Sequence, residues 1–93
     1  ISSVEAMQMR LPNPNPFTSH IDIPYVVGQT SAHKVRLVFT NIAGLVVDAY
    51  ATTHTFGEYT YTWRPAGLPE GVYFVTLYVD GKKMQSCKLI RVK

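Results

Sequence analysis

The sequence predicts an all-β protein, an immunoglobulin-like antiparallel β-sandwich of about seven strands. Apolar and polar residues alternate with a period of two over several short segments, which is typical of strands with one buried face. Gly, Pro, Asn and Asp separate those segments at short spacing, and no segment shows a sustained helical period. An open barrel is the alternative arrangement of the same strands.

The chain begins with a segment of ambiguous structure, residues 1–10, which we expect to be a linker remnant or a short first strand. Residues 11–93 are then expected to form the single domain. Its first residues, 11–17, hold three prolines separated by asparagines. Because proline fixes its own φ and restricts the residue before it, this stretch is predicted to be extended and stiff.

Two alternating strands are predicted next, over residues 20–27 and 33–40. Their inward-facing side chains are expected to be Ile21, Ile23, Tyr25, Val35, Leu37 and Phe39. Pro24 interrupts the first strand on its other face, and a proline within a strand favours an edge position. A turn over residues 41–44 should lead to a shorter strand whose inner face the pattern does not decide.

The second half of the domain predicts three more strands. In the first of them Tyr59, Tyr61 and Trp63 should face inward. After a loop rich in proline and glycine, residues 72–79 are apolar on both faces apart from Thr76, which favours a central strand. Val75 and Leu77 are its expected core residues.

A hairpin should join the last two strands at Asp80-Gly81. That dipeptide is a strong hairpin motif, since a type I′ turn needs positive φ at both central residues.

No catalytic, cofactor or metal site is predicted, and we expect the protein not to be an enzyme. The three histidines are not spaced as metal ligands; they are His20, His33 and His54. The carboxylates are scattered over predicted turns, strand ends and wet faces, and a small sandwich offers little cleft in which two of them could act together. Cys87 is the chain's one cysteine, so no internal disulfide can form. It is expected to be a small apolar residue of the last strand, with a reactive thiol as the alternative.

The chain's charge and apolar content limit its partners. The net charge is +3, and no apolar segment approaches the roughly 20 residues of a membrane-spanning helix. Residues 1–10 lack the pattern of a signal peptide. No nucleic acid partner is expected, because the aromatic residues are assigned to the core. A sugar-binding patch is the alternative for three of them, Tyr50, Phe56 and Tyr78.

Five positive charges fall within the last twelve residues: Lys82, Lys83, Lys88, Arg91 and Lys93. Lysine on an edge strand discourages sheet-to-sheet pairing, which would account for them in full. The functional interpretation is a positive tip for an anionic partner.

Several short motifs occur in order along the chain. The first is Pro14-Asn15-Pro16, followed by Phe17 and Thr18. The second is a turn with Gly44 and Val47. The most recognisable is Gly-Leu-x-x-Gly-x-Tyr, here Gly67, Leu68, Gly71 and Tyr73. The last comprises Lys88, Leu89, Ile90, Val92 and Lys93, with Arg91 breaking its apolar run. On these motifs, residues 11–93 resemble the type A C-terminal sorting domain of the type IX secretion system, the Por secretion system family.

The resemblance implies a function without catalysis. In this family an N-terminal signal exports a precursor to the periplasm, and the folded C-terminal domain directs the upstream cargo domain through the outer-membrane type IX translocon. A cell-surface sortase usually removes the domain, and the cargo stays at the outer-membrane surface or is released. The exposed backbone of the final hairpin is a candidate site for pairing with a receptor strand. The alternatives are an accessory β-sandwich module that binds carbohydrate or protein for adhesion, and a structural spacer.

Overall fold

The computed structural model describes residues 8–28, 32–65 and 67–92. These residues form strands and no helix, so none of them lies in a helix able to cross a membrane. The seven strands are β1 (Gln8–Met9), β2 (Ile21–Val27), β3 (His33–Asn41), β4 (Val46–His54), β5 (Gly57–Trp63), β6 (Gly71–Val79) and β7 (Lys82–Arg91).

The strands form two antiparallel sheets that pack as a sandwich. One sheet has the order β1-β2-β5 and the other the order β4-β3-β6-β7. β4 pairs with β3, so the chain crosses from one sheet to the other between β4 and β5. The predicted β-sandwich of about seven strands is confirmed.

The core lies between the sheets and is centred on aromatic rings. Trp63 stacks on Phe39, with ring centroids 4.1 Å apart, and contacts the ring of Tyr73 edge-on at 5.8 Å. Its indole N–H donates to Asp48 Oδ2 over 2.9 Å, so the buried ring leaves no polar atom unpaired. Nine of the eleven core residues expected from alternation are buried: Ile21, Ile23, Tyr25, Val35, Leu37, Phe39, Trp63, Val75 and Leu77. Tyr59 is half-buried and packs against the core. Tyr61 is also half-buried, because it stacks on Tyr50 beside the core.

The edge position inferred from Pro24 is wrong, since β2 lies between β1 and β5. The Pro24 carbonyl accepts from the Arg10 N–H over 2.8 Å, which shows that the proline's missing donor faces the β1 side. β1 ends one residue before Arg10. The N–H that Pro24 lacks would therefore point to a place where the regular pairing of β1 with β2 has already ended. For this reason a proline is tolerated in this interior strand.

The prediction that the strand after β3 would be shorter is also wrong, because β3 and β4 have nine residues each. Apart from Val47, which packs against the core, the inner face of β4 carries Tyr50, Thr52 and His54 rather than aliphatic residues. These polar and aromatic side chains hide the alternation by which the other strands were found. The register with β3 shifts between Phe39 and Thr40.

The Asp80-Gly81 hairpin is confirmed. Asp80 has φ of 52° and Gly81 of 82°, as a type I′ turn requires, and Val79 pairs with Lys82. The Asp80 carboxylate also ties the hairpin to the start of β3. Its Oδ2 is 2.5 Å from His33 Nδ1, and its Oδ1 accepts from the Lys34 N–H over 2.9 Å.

We predict that Gly81→Val destabilises the domain by about 1–3 kcal/mol through backbone strain. No atom lies within 4 Å of a Cβ placed there, so a steric clash would not contribute. The measurement is the free energy of unfolding in urea. Gly81→Asn is the control, because asparagine tolerates positive φ and should cost much less. Equal costs for the two variants would contradict the turn assignment.

We also predict an acid-dependent contribution from Asp80. Its hydrogen bond with His33 holds the pKa of the carboxyl below its usual range. A pKa lowered by folding contributes stability above the unfolded-state value, about 3.9, and that stability is lost as pH falls through the folded-state value. Asp80→Asn keeps a residue suited to the turn but removes the charge. Its melting temperature should lie below that of the wild type at pH 7, and the gap should close at low pH. A gap that persists at pH 2 would contradict the prediction.

Candidate functional site

The motif segments found in the sequence meet at one end of the sandwich. The antiparallel register places Gly71, at the start of β6, beside Arg91, at the end of β7, and it pairs Tyr73 with Asn41 at the end of β3. We call the end formed by residues 14–18, 41–46, 65–71 (except 66, which is not described) and 88–92 the motif end. The Asp80-Gly81 hairpin lies at the opposite end.

The proline-rich segment bends at residues 14–16 as it crosses from one sheet to the other, so its predicted extended course is wrong. Asn13 exchanges two backbone hydrogen bonds with Asp22 of β2, of 2.9 and 2.8 Å. Four residues later, Phe17 forms a parallel bridge with Arg91 of β7. Phe17 N–H donates to the Ile90 carbonyl and its own carbonyl accepts from Val92 N–H. A backbone N–H in this bent segment would have no strand to pair with. Proline has no N–H, so it suits the crossing.

Asn15, between those prolines, covers the free edge of β7 with its side chain. Its Nδ2 donates to the Lys88 carbonyl over 2.9 Å, and its Oδ1 accepts from the Ile90 N–H over 3.0 Å. A carboxamide has the donor and acceptor of a peptide group, so Asn15 occupies the place of a neighbouring strand. Together, Asn15 and Phe17 form hydrogen bonds with the backbone of this edge from Lys88 to Val92. The final hairpin is therefore a poor candidate for pairing with a receptor strand at this end.

A second carboxamide makes the reciprocal connection further along the same side. Gln85 of β7 accepts from the Met9 N–H at Oε1 and donates to the Met9 carbonyl from Nε2, both over 2.9 Å. Met9 belongs to β1, the edge strand of the other sheet. Gln85 thus joins the two sheets, and Asn15 joins the proline-rich segment to β7, along the side where β1 and β7 meet.

Arg91 connects three segments of the motif end. Its Nε donates to the Thr18 carbonyl over 3.0 Å, and its Nη1 donates to the carbonyls of Pro65, over 2.8 Å, and Leu68. The planar guanidinium can bond several acceptors at fixed angles, which the lysine ammonium cannot match. Arg91 appears in the sequence only as an interruption of an apolar run, since nothing local indicates that its partners lie in distant loops.

The Gly-Leu-x-x-Gly-x-Tyr motif forms the corner between β5 and β6. The Tyr73 ring is buried and its hydroxyl donates to the Pro69 carbonyl over 2.5 Å. This is the tyrosine corner known from immunoglobulin-like sandwiches. Leu68 packs against the core, and Gly67 has φ of 83°, which favours glycine. The motif therefore fixes the course of the loop.

The turn between β3 and β4 is fixed by its own asparagine. Asn41 Oδ1 accepts from the N–H groups of Ala43 and Leu45, each over 3.0 Å, and Gly44 has φ of 87°. The turn holds out three exposed apolar side chains, Ile42, Leu45 and Val46, which are 76%, 65% and 64% exposed. Beside them a depression of about 290 Å³ is lined by both loops, including Leu68, Pro69 and Val72. Exposed apolar clusters of this kind often mark interaction sites.

The motif residues divide into those that hold the fold and those that face solvent. Leu89 and Tyr73 are buried, while Asn15, Gly44, Gly67 and Gly71 serve turns or edge pairing. Ile90 is half-buried. Pro14, Pro16, Lys88 and Val92 expose their side chains. Lys93 lies outside the described residues.

Among the described residues, the positive charges near the end of the chain do not gather at one tip, as the functional interpretation required. Lys82 and Lys83 stand beside the Asp80-Gly81 hairpin, whereas Lys88 lies along β7 and Arg91 at the motif end. The Arg91 guanidinium is engaged with backbone carbonyls. Tyr50, Phe56 and Tyr78 are separated as well: Tyr50 stacks on Tyr61, Tyr78 lies under Arg36, and Phe56 is in the β4–β5 connection.

The titratable groups of the described residues form no cluster of three or more metal ligands. His54 is paired with Tyr25 through a 2.7 Å contact between Nε2 and the hydroxyl, and it stacks on Tyr59. Burial lowers the pKa of His54 and raises that of Tyr25, which favours the neutral form of both. Cys87 packs against the core, and burial raises the pKa of its thiol. Each of these groups thus has a structural role.

A family model described as a secretion system C-terminal sorting domain matches residues 13–93. No curated protein and no solved structure matches the chain.

The edge contact of Asn15 gives a test with an internal control. Asn15→Ala should cost about 1 kcal/mol of stability and speed hydrogen exchange at the Ile90 amide, which loses its acceptor. Asn13→Ala is the matched control, because Asn13 pairs through its backbone. Hydrogen exchange followed by NMR measures both variants. Equal protection of the Ile90 amide in the two variants would contradict the contact.

Proposed function

This chain belongs to the family of type IX secretion system C-terminal sorting domains, and we propose that it directs an upstream cargo domain through the outer-membrane translocon as a folded unit. It is a sorting signal for secretion to the cell surface or beyond. The finer steps of the proposal are transit of the precursor through the periplasm, engagement of the translocon, and removal of the domain by a surface sortase. In each of them the domain is a substrate and not an enzyme.

The observation that carries the proposal is the way the motif segments are joined. Asn15 and Phe17 pair with β7, and Arg91 bonds to the loops that hold Thr18 and Leu68. A linear tag would need none of these contacts, because an extended peptide is recognised through its own side chains and backbone. The contacts support recognition of the assembled motif end.

The side chains best placed for such recognition belong to the turn between β3 and β4. Ile42 and Leu45 lie outside the core, yet Asn41 holds their backbone in one conformation. A preorganised turn loses little conformational entropy on binding, so apolar contacts made there convert efficiently into affinity. We propose that the translocon contacts this turn together with the neighbouring residues Leu68 and Pro69.

We predict that Ile42→Ser with Leu45→Ser reduces surface delivery of a periplasm-exported reporter fused ahead of residues 11–93. Loss of one or two apolar anchors should reduce delivery by at least about tenfold. The measurement is the amount of reporter on type IX-competent cells and in their medium, compared with the amount in the periplasm.

Phe56→Ser is the control, because Phe56 and Leu45 are each 65% exposed and Phe56 lies away from the motif end. Protease resistance of each purified domain checks folding. Unchanged delivery by the folded double variant would overturn the assignment of the turn. Failure of the unaltered domain to deliver the reporter would overturn the sorting function itself.

A further inference from the structure

We propose that the outer face of the four-stranded sheet docks on an anionic membrane surface. The proposal rests on side chains that the sorting motifs leave unused, apart from Lys88, and it stands independently of the translocon contact. Four exposed cations lie on this face: Lys34, Arg36, Lys83 and Lys88. Their direction follows from the pairing of Arg36 with Tyr78, Tyr78 with Lys83, and Phe74 with Lys88, since these residues alternate with buried ones.

No carboxylate of the described residues shares the face. Asp22 and Glu58 belong to the three-stranded sheet, and Glu70 lies in the loop before β6. Asp48 accepts from the Trp63 indole, so it is directed between the sheets. Asp80 stands at the hairpin end of the face, where His33 and the Lys34 backbone N–H occupy its carboxylate. The face is therefore positive, with Lys34, Arg36 and Lys83 toward its hairpin end and Lys88 toward the motif end.

The spacing of the cations suits a surface rather than a single anion. Neighbouring strands lie about 4.8 Å apart, so β3 and β7 are separated by about 10 Å across β6. Arg36 and Lys88 are also four residues apart along β6, which adds about 13 Å. Arg36 and Lys88 are therefore too far apart to share one phosphate, whereas Arg36 and Lys83 flank Tyr78 at the same level of the sheet. Cations spread over a sheet face in this way can contact several phosphates of a lipid bilayer.

The uncharged side chains of the face also suit contact with a membrane surface. The Arg36 guanidinium lies 5.0 Å from the centroid of the Tyr78 ring, which holds it against the sheet. Between these long side chains and β4, the small Ala51 and Thr53 leave a shallow depression of about 470 Å³. Tyrosine is favoured at membrane interfaces because its ring is apolar and its hydroxyl is polar. The face thus combines cations with an interfacial aromatic residue.

The test is binding of the purified chain to lipid vesicles. Vesicles with one third phosphatidylglycerol should bind it in 50 mM NaCl, and pure phosphatidylcholine vesicles should not. Binding should fall steeply by 500 mM NaCl. Each cation near an anionic surface strengthens binding about fivefold, so Lys34→Gln with Arg36→Gln should weaken binding roughly 25-fold.

The matched control removes the same charge from elsewhere. Arg10→Gln with Arg64→Gln leaves the proposed face intact, since Arg10 pairs with Glu58 of β5 and Arg64 follows β5. This control should bind like the wild type. Equal loss in both double variants, or equal binding to both kinds of vesicle, would overturn the proposal. Tighter binding to heparin or duplex DNA than to the anionic vesicles would identify a soluble polyanion and overturn the membrane as the occupant.

Discussion

The structure depends on how the first described segment of the chain is tied to the last strand. β7 is an edge strand, and an unpaired edge is open to other chains. Asn15 and Phe17 form hydrogen bonds with that edge, and the Arg91 guanidinium donates to the Thr18 carbonyl of the same segment. Leu89, between these contacts, is buried in the core. The outermost strand is thereby joined to the segment that precedes β2.

Much of this fold could be predicted from residue patterns, because local rules govern them. Alternation identified the inner faces of β2, β3, β5 and β6, and the turn chemistry of Asp80-Gly81 identified the last hairpin. β4 was underestimated because its inner face carries threonine and histidine. The crossing of the proline-rich segment and the bonds of Arg91 could not be predicted. The bonds of Arg91, and the end of the crossing where Phe17 pairs with Arg91, depend on groups more than 20 residues away in sequence, and no local pattern specifies such partners.

The structure assigns folding roles to several residues of the candidate site. Tyr73 forms a corner, Asn15 pairs an edge and Leu89 fills the core, so several of the residues that resemble the family act in folding. In the proposed function, the sorting signal is the surface of the folded domain and not a linear sequence. The exposed apolar turn at the motif end and the cationic sheet face are then two separate surfaces of one small scaffold, available to different partners.

The central claim is that the secretion system recognises the folded domain, and export measured against temperature tests it most directly. Leu37 lies in the core and outside every motif. Replacing a buried leucine by alanine lowers the free energy of unfolding by about 2–5 kcal/mol. If the folded domain is recognised, a reporter fused to this variant should be exported below the variant's melting temperature and not above it, while the unaltered domain continues to export. Undiminished export of the variant above its melting temperature would show that the linear motifs suffice and that the fold is not required.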